Sequence, residues 1–150
     1  MTAPADPPPP DATIEITTSF RYRHGLGDLA PHFAGLERGE ALATRCPACK
    51  AVWFAPRLTC RCGERALDWV RLPGTGTVLV STEGEVSIPL AGRTVVCATA
   101  LIRLDGADNA VVGRLREGTA ARPGLRVRLG SDPRPRFHPV QAAWFLPVDD

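Results

Sequence analysis

The sequence predicts a mainly β protein in which a short N-terminal helix and a rubredoxin-like metal ribbon precede a small five-stranded barrel. Four cysteines lie within 17 residues, between positions 46 and 62, as expected for a ribbon. After residue 67, short apolar segments are separated by Gly, Pro and Asp, which is typical of short strands joined by turns. Gly and Pro account for 14 and 15 of the 150 residues, which favours turns over long helices.

Residues 1–27 are predicted to form an extension that precedes the folded part. Residues 1–12 are a Pro-rich acidic tail whose composition cannot bury a core. Residues 14–22 alternate well enough to form either a short strand or a clamp onto another element. The extension is therefore expected to contribute little to the core.

A helix of about three turns is predicted between Asp28, as its N-cap, and Gly39, which closes it. Leu29, Phe33 and Leu36 recur at helical spacing and form an apolar stripe. The stripe packs either on the chain's own fold or on a partner. Helix and ribbon together are predicted to occupy residues 28–66.

The barrel is predicted to occupy residues 67–150, without any internal repeat. Its apolar segments are spaced as in small closed or half-closed barrels. The five predicted strands lie at residues 67–82, 94–104, 110–116, 125–129 and 140–148.

The composition and charge exclude several classes of protein. The 18 basic and 16 acidic residues give a net charge of +2, too small to imply polyanion binding by itself. The longest apolar run, residues 95–102, is too short to span a membrane. The N-terminus has neither a basic start nor an apolar segment, so no signal peptide is predicted and a soluble cytoplasmic protein is expected.

The four clustered cysteines are predicted to be metal ligands. Cys46 and Cys49 form a CPAC turn that aims two thiolates at one ion, and Cys60 and Cys62 follow as a second pair. Four thiolates in a tetrahedral array suit a closed, structural Zn²⁺ site. The second pair, CRC, has one intervening residue instead of two, so its chelate is more strained. Rubredoxin-type iron and a metal-free remnant stay open as alternatives.

The sequence contains no catalytic constellation that could act alone. Cys97 is predicted to be a buried, inert thiol rather than a nucleophile, because no histidine lies near it in sequence. His24, His32 and His138 are interpreted as surface or packing residues. A nucleophile elbow, a phosphate-binding P-loop and a dinucleotide fingerprint are all absent from the sequence.

A ribbon followed by a barrel also raises the hypothesis of nucleic-acid binding. Barrels that bind single strands display aromatic stacking platforms on their central strands. The predicted strands at 94–104 and 110–116 contain no aromatic residue, which disfavours this hypothesis without removing it.

Seven arginines and two acidic residues lie between positions 114 and 136, which gives a local basic band. Arg114, Arg116, Arg126 and Arg128 alternate along two of the predicted strands. We expect them to contact an anionic ligand or an acidic partner, or else to form a solvated face of the barrel.

The order of these segments resembles the zinc-ribbon plus OB-fold proteins known as Domain of Unknown Function family 35 (DUF35). The resemblance covers roughly residues 28–148. It is carried by FAGLERGE at 33–40, TRCPACKAVWFAPRLTCRCG at 44–63, LDWVRLPGTGTVLVST at 67–82, VVCATALIRLDG at 95–106, VVGRL at 111–115 and PGLRVRL at 123–129. The CRC spacing departs from the family's usual pattern, in which both knuckles have a two-residue gap.

The resemblance implies a non-catalytic accessory subunit of a thiolase-type enzyme, whose barrel is an OB-fold. In such complexes the partner supplies the nucleophile for Claisen or retro-Claisen chemistry on acyl-CoA, or for acyl transfer. The ribbon–barrel subunit helps to bind or shield the CoA thioester. Such pairs act in acetoacetyl-CoA metabolism and in the catabolism of steroid side chains and aromatic compounds. In such a subunit the Zn²⁺ predicted on Cys46, Cys49, Cys60 and Cys62 is structural. The four arginines are expected to meet the phosphates of CoA or an acidic surface of the partner, or else to form the solvated face.

Overall fold

The computed structural model describes residue 13 and residues 15–88, 93–132 and 138–148. The predicted Pro-rich tail at residues 1–12 lies outside the described residues. The elements are, in order, a 3₁₀ turn at Gly27–Leu29, α1 at Ala30–Glu37, β1 at Leu42–Arg45, β2 at Val52–Trp53, β3 at Asp68–Arg71, β4 at Thr75–Ile88, β5 at Arg93–Leu104, β6 at Val111–Arg114, β7 at Arg126–Ser131, a 3₁₀ turn at Pro139–Ala142 and β8 at Ala143–Pro147.

Two antiparallel sheets organise these elements. The ribbon sheet has the order β2-β1-β3, and the barrel sheet has the order β6-β5-β4-β7-β8. A parallel bridge between Leu115 and Phe145 joins the β6 side of the barrel sheet to β8, so the five strands close on themselves. The predicted fold class is confirmed: a helix, a cysteine ribbon and a five-stranded barrel.

The N-terminal helix begins differently from the prediction. Asp28 lies inside the 3₁₀ turn, and Leu29 occupies the N-cap position without a side-chain hydrogen bond. Pro31 follows in the first turn of α1, where the hydrogen that proline lacks would have no partner in the helix. Gly39 ends the helix with φ +70°, as predicted. The apolar stripe packs on the chain's own fold, since Leu36 is buried in the core and Phe33 packs against it.

Residues 15–22 form no strand, so the prediction of a short strand at residues 14–22 is wrong. The side chains of Ile16, Phe20 and Tyr22 are 78%, 91% and 84% exposed. A strand here would need a neighbouring edge to pair with, and these residues have none among the described ones.

The predicted strand at 67–82 is two strands that belong to different sheets. Gly74, with φ +81°, follows Pro73 and turns the chain between β3 and β4. Strand β3 pairs with β1 in the ribbon sheet, whereas β4 pairs with β5 in the barrel. The division of the chain at residues 27 and 66 stays a prediction.

One core is shared by the ribbon and the barrel. On β5, the alternation predicts one shared face for Val96, Ala98, Ala100, Ile102 and Leu104. The last four of these residues are buried, whereas Val96 is 57% exposed. The same cluster continues into the helix and ribbon, through Leu36, Ala41, Ala43, Val52 and Phe54. Because the core is continuous, the ribbon is fixed to the barrel by packing.

None of the described helices has the length and apolar composition needed to cross a bilayer.

Candidate functional site

The four predicted metal ligands converge. The sulfurs of Cys46, Cys49, Cys60 and Cys62 all lie within 4.8 Å of one another. The Cys46–Cys62 and Cys49–Cys60 Sγ separations are both 3.5 Å. A tetrahedral ion with metal–sulfur bonds of about 2.3 Å requires sulfur separations of about 3.8 Å. The cluster can therefore bind a metal ion.

Both cysteines of the short CRC pair reach the cluster because the turn after Cys60 is one residue shorter than the turn of CPAC. In the first turn, the Lys50 N–H donates to the Cys46 carbonyl at 2.9 Å, and Lys50 has φ +64°. In the second, the Gly63 N–H donates to the Cys60 carbonyl at 2.9 Å, and Gly63 has φ +93°. The residue that turns the backbone thus comes one position earlier after Cys60. The expected strain is relieved because that residue is glycine, which adopts positive φ freely.

The electrostatics of the cluster favour a bound cation. A hydrogen bond from the backbone N–H of Cys62 is the main reason that the pKa of Cys60 falls to about 6. At Cys49, the Ala51 N–H acts in the same direction, but the neighbouring sulfurs outweigh it and raise the pKa to about 12. Four thiolates at these separations repel one another, so a cation is needed to keep all four deprotonated. The donor set therefore fits Zn²⁺.

Trp53 covers the cluster from the β2 side. Its ring packs with Cys46 and Cys60 in a small second core. The guanidinium of Arg57 lies 4.3 Å from the ring centroid, on the ring's face. Among the described residues, the buried indole N–H has no hydrogen-bond acceptor within bonding distance, yet its proximity contributes to the lowered pKa of Cys60. The cluster is half-enclosed, with Cys46 and Cys60 buried and the other two cysteines exposed.

An apolar cavity of about 340 Å³ lies between α1, β6 and β8. His32 lines it and is only 5% exposed. The His32 Nδ1 lies 2.9 Å from the Leu42 carbonyl, so Nδ1 carries the proton. Burial lowers the pKa of His32, so the ring is neutral and its Nε2 can accept a hydrogen bond. The sequence interpretation of His32 as a packing residue did not identify this cavity.

The structure divides the four predicted arginines into two pairs. Arg114 donates to the Gln141 carbonyl at 3.1 Å and lies 4.9 Å from the Trp144 ring centroid. Arg126 makes two hydrogen bonds to the Asp105 carboxylate. Both are therefore already engaged within the chain.

Arg116 and Arg128 instead line an open depression of about 520 Å³ on the outside of the barrel. Arg122 lies beside them, in the loop between β6 and β7. Alternation along strands could not have indicated Arg122, because it is not in a strand. The sequence offered one indication of a loop arginine here, because Arg122 stands beside Pro123 and Gly124, a turn signal within the basic band.

An outer apolar row crosses three barrel strands. Val80 of β4 and Val112 of β6 both pair with Leu101 of β5, so the three side chains lie side by side on one face. Val80 is 56% exposed and Val112 is 74% exposed. Exposed apolar groups in register are typical of surfaces that meet another protein.

The histidines of the described chain bond to the main chain rather than to a nucleophile. The rings of His24 and His32 bond to the Gly25 and Leu42 carbonyls, and His138 accepts from the Val140 N–H. The backbone of Cys97 lies opposite Gly84 in the β4–β5 register, and its side chain is outside what the structure describes. The prediction that Cys97 is inert stays untested.

Solved structures share this architecture, although no protein-family model and no curated protein matches the chain. A chain of the structure described as "Ltp2-ChsH2(DUF35) aldolase" superposes with a TM-score of 0.62 at 23% identity. The match covers 84% of this chain and 98% of that one. A DUF35 protein of unknown function from Sulfolobus solfataricus matches with a TM-score of 0.55 at 12% identity, over 81% of this chain and 87% of that one. The chain thus has the fold of the DUF35 proteins, and the resemblance read from its sequence is confirmed in its three-dimensional structure.

Proposed function

We propose that the chain is a non-catalytic accessory subunit of a thiolase-type enzyme, and that it helps to bind or shield an acyl-CoA thioester. The observation that carries this proposal is the fold shared with a chain of an aldolase that combines Ltp2 with ChsH2(DUF35). A fold alone does not define a function. The proposal therefore also depends on the surfaces of this chain.

Two features support an accessory role. The cysteine cluster would place four sulfurs on one ion, which would leave no open coordination position for chemistry, so Zn²⁺ would stabilise the ribbon. The three described histidines are bonded to the main chain, so the described residues pair none of them with a nucleophile. The nucleophile and base would then come from the partner.

Two surfaces support the proposed interactions. The outer apolar row offers exposed Val80 and Val112 to a protein partner. The cavity lined by His32 is mostly apolar, as an acyl group requires, and its volume is within the range of small-molecule sites.

Nucleic-acid binding stays the alternative, and the barrel surface disfavours it. Trp144 and Phe145, the aromatic residues of the described barrel strands, are 6% and 3% exposed and cannot act as stacking platforms.

Co-purification tests the proposal. A tagged chain expressed in its own cells should recover a thiolase-type enzyme, identified by mass spectrometry, in a fixed molar ratio. Val112→Asp should abolish that recovery, because it places a charge in the outer apolar row. Leu58→Asp is the matched control, since Leu58 is 50% exposed and lies in the ribbon, outside the row. Recovery of nucleic acid without any thiolase-type enzyme would refute the proposal.

A further inference from the structure

The depression lined by Arg116, Arg122 and Arg128, here called the arginine depression, carries a second assignment. We propose that it binds the phosphate groups of a nucleotide that bears at least two phosphates. This inference deepens the proposed function and rests on it for one point, the identity of the nucleotide as the phosphate-bearing end of CoA.

The three guanidinium groups are available to a ligand. Within the described part of the chain, no ion pair or side-chain hydrogen bond engages Arg116, Arg122 or Arg128. The lining contains one acidic residue, Glu117, so positive charge predominates. By contrast, neighbouring Arg126 is neutralised by Asp105. Planar guanidinium groups bind phosphate oxygens through paired hydrogen bonds, which suits several phosphates in one depression.

Backbone hydrogen bonds fix the loop that carries Arg116 and Arg122. The Thr119 N–H donates to the Arg116 carbonyl at 3.0 Å, and the Leu125 N–H donates to the Arg122 carbonyl at 3.2 Å. The loop is also tied to β4, because Gly124 donates to the Val78 carbonyl at 2.8 Å. A loop that is already ordered loses less conformational entropy on binding.

Arg128 is positioned by the sheet itself. It lies in β7 between Thr75 of β4 and Leu146 of β8, and its neighbours in sequence, Val127 and Leu129, are buried. Its side chain therefore faces outward from a rigid strand.

The depression also has an apolar part, which favours a nucleotide over inorganic phosphate. Leu125, Leu146 and Pro147 line it beside the arginines. These side chains can pack against a purine or a ribose, whereas a phosphate ion makes no use of them. The combination fits a small ligand that has both a base and several phosphates.

The test uses the zinc-loaded full chain, labelled with ¹⁵N, and adenosine 3′,5′-bisphosphate as the probe. We expect the arginine Nε–Hε signals of the depression to shift with a Kd of about 0.1–1 mM. Arg122→Gln and Arg128→Gln should each weaken binding at least about fivefold. Arg103→Gln, which removes the same charge from an exposed position of β5 outside the lining, should stay within about twofold of wild type. Raising KCl from about 50 to 500 mM should weaken binding by roughly tenfold.

Three results would overturn the inference. One is the absence of any arginine shift up to about 5 mM probe. Another is an equal loss of binding in Arg103→Gln, which would indicate a general effect of charge. The third is binding of a 12-nucleotide single-stranded DNA at least about tenfold tighter than the probe, which would make the depression a nucleic-acid site. These outcomes are separate from the co-purification result, because the titration needs no partner and the co-purification needs no nucleotide.

Discussion

Removing the side chain of Asn109 should loosen the ribbon from the barrel. The Asn109 amide oxygen accepts from the Phe54 N–H at 3.0 Å, and its amide nitrogen donates to the Phe54 carbonyl. Phe54 is 5% exposed, so water cannot readily replace either bond in Asn109→Ala. An unsatisfied buried polar group costs about 1–3 kcal/mol, so the loss of both partners should reduce the free energy of unfolding by about 2–6 kcal/mol.

Urea denaturation, followed by tryptophan fluorescence and by far-ultraviolet circular dichroism, measures this loss. Asp68→Ala is the matched control, because Asp68 is exposed in β3 and its truncation should change stability by less than about 0.5 kcal/mol. The slope of free energy against urea should be unchanged, and both probes should give one transition. An Asn109→Ala midpoint equal to that of wild type would refute the reasoning. So would a separate transition of the ribbon in the wild-type chain.

Three further predictions concern the metal, the pH dependence and the chemistry. The purified chain should contain about one zinc per chain by elemental analysis. Cys46→Ser should lose the metal and unfold the ribbon, whereas Cys97→Ala should keep the metal. A folded wild-type chain without zinc would contradict this prediction. Hydrogen bonds from Arg126 and Thr75 lower the pKa of Asp105 to about 2, so the stability that Asp105 contributes is present above its ordinary pKa of 3.8 and is lost as the pH falls towards 2. Acid unfolding curves should therefore be shallower in this range for Asp105→Asn, and identical curves would contradict the assignment. Cys97→Ala should leave the turnover of the assembled complex within a few-fold of wild type, and an inactive but assembled complex would identify Cys97 as catalytic.

The parts of the fold that could be predicted are those encoded by local patterns. The spacing of Cys46, Cys49, Cys60 and Cys62 brings four sulfurs together because each pair forms its own tight turn. The inward face of β5 follows from alternation, since every second residue of a strand lies on the same side. In both cases the pattern itself, the spacing within each cysteine pair and the alternation along β5, spans only a few residues of sequence.

The parts that could not be predicted depend on distant contacts. The sequence did not indicate that Arg126 is paired, because its partner Asp105 lies 21 residues away and is brought near by the arrangement of β4, β5 and β7. The pairing of β3 with the ribbon could not be read from its composition, although Pro73 and Gly74 marked the break. Arg122 joined the arginine depression only because the loop folds back onto β4.

The most direct test of the central claim is the turnover of an acyl-CoA thioester by the co-purified thiolase-type enzyme, measured with and without this chain. We predict that the chain alone has no thiolytic or condensing activity, that the enzyme alone is impaired, and that mixing them restores turnover with saturation at the molar ratio of the isolated complex. Full activity of the enzyme without the chain, or turnover by the chain alone, would contradict the account.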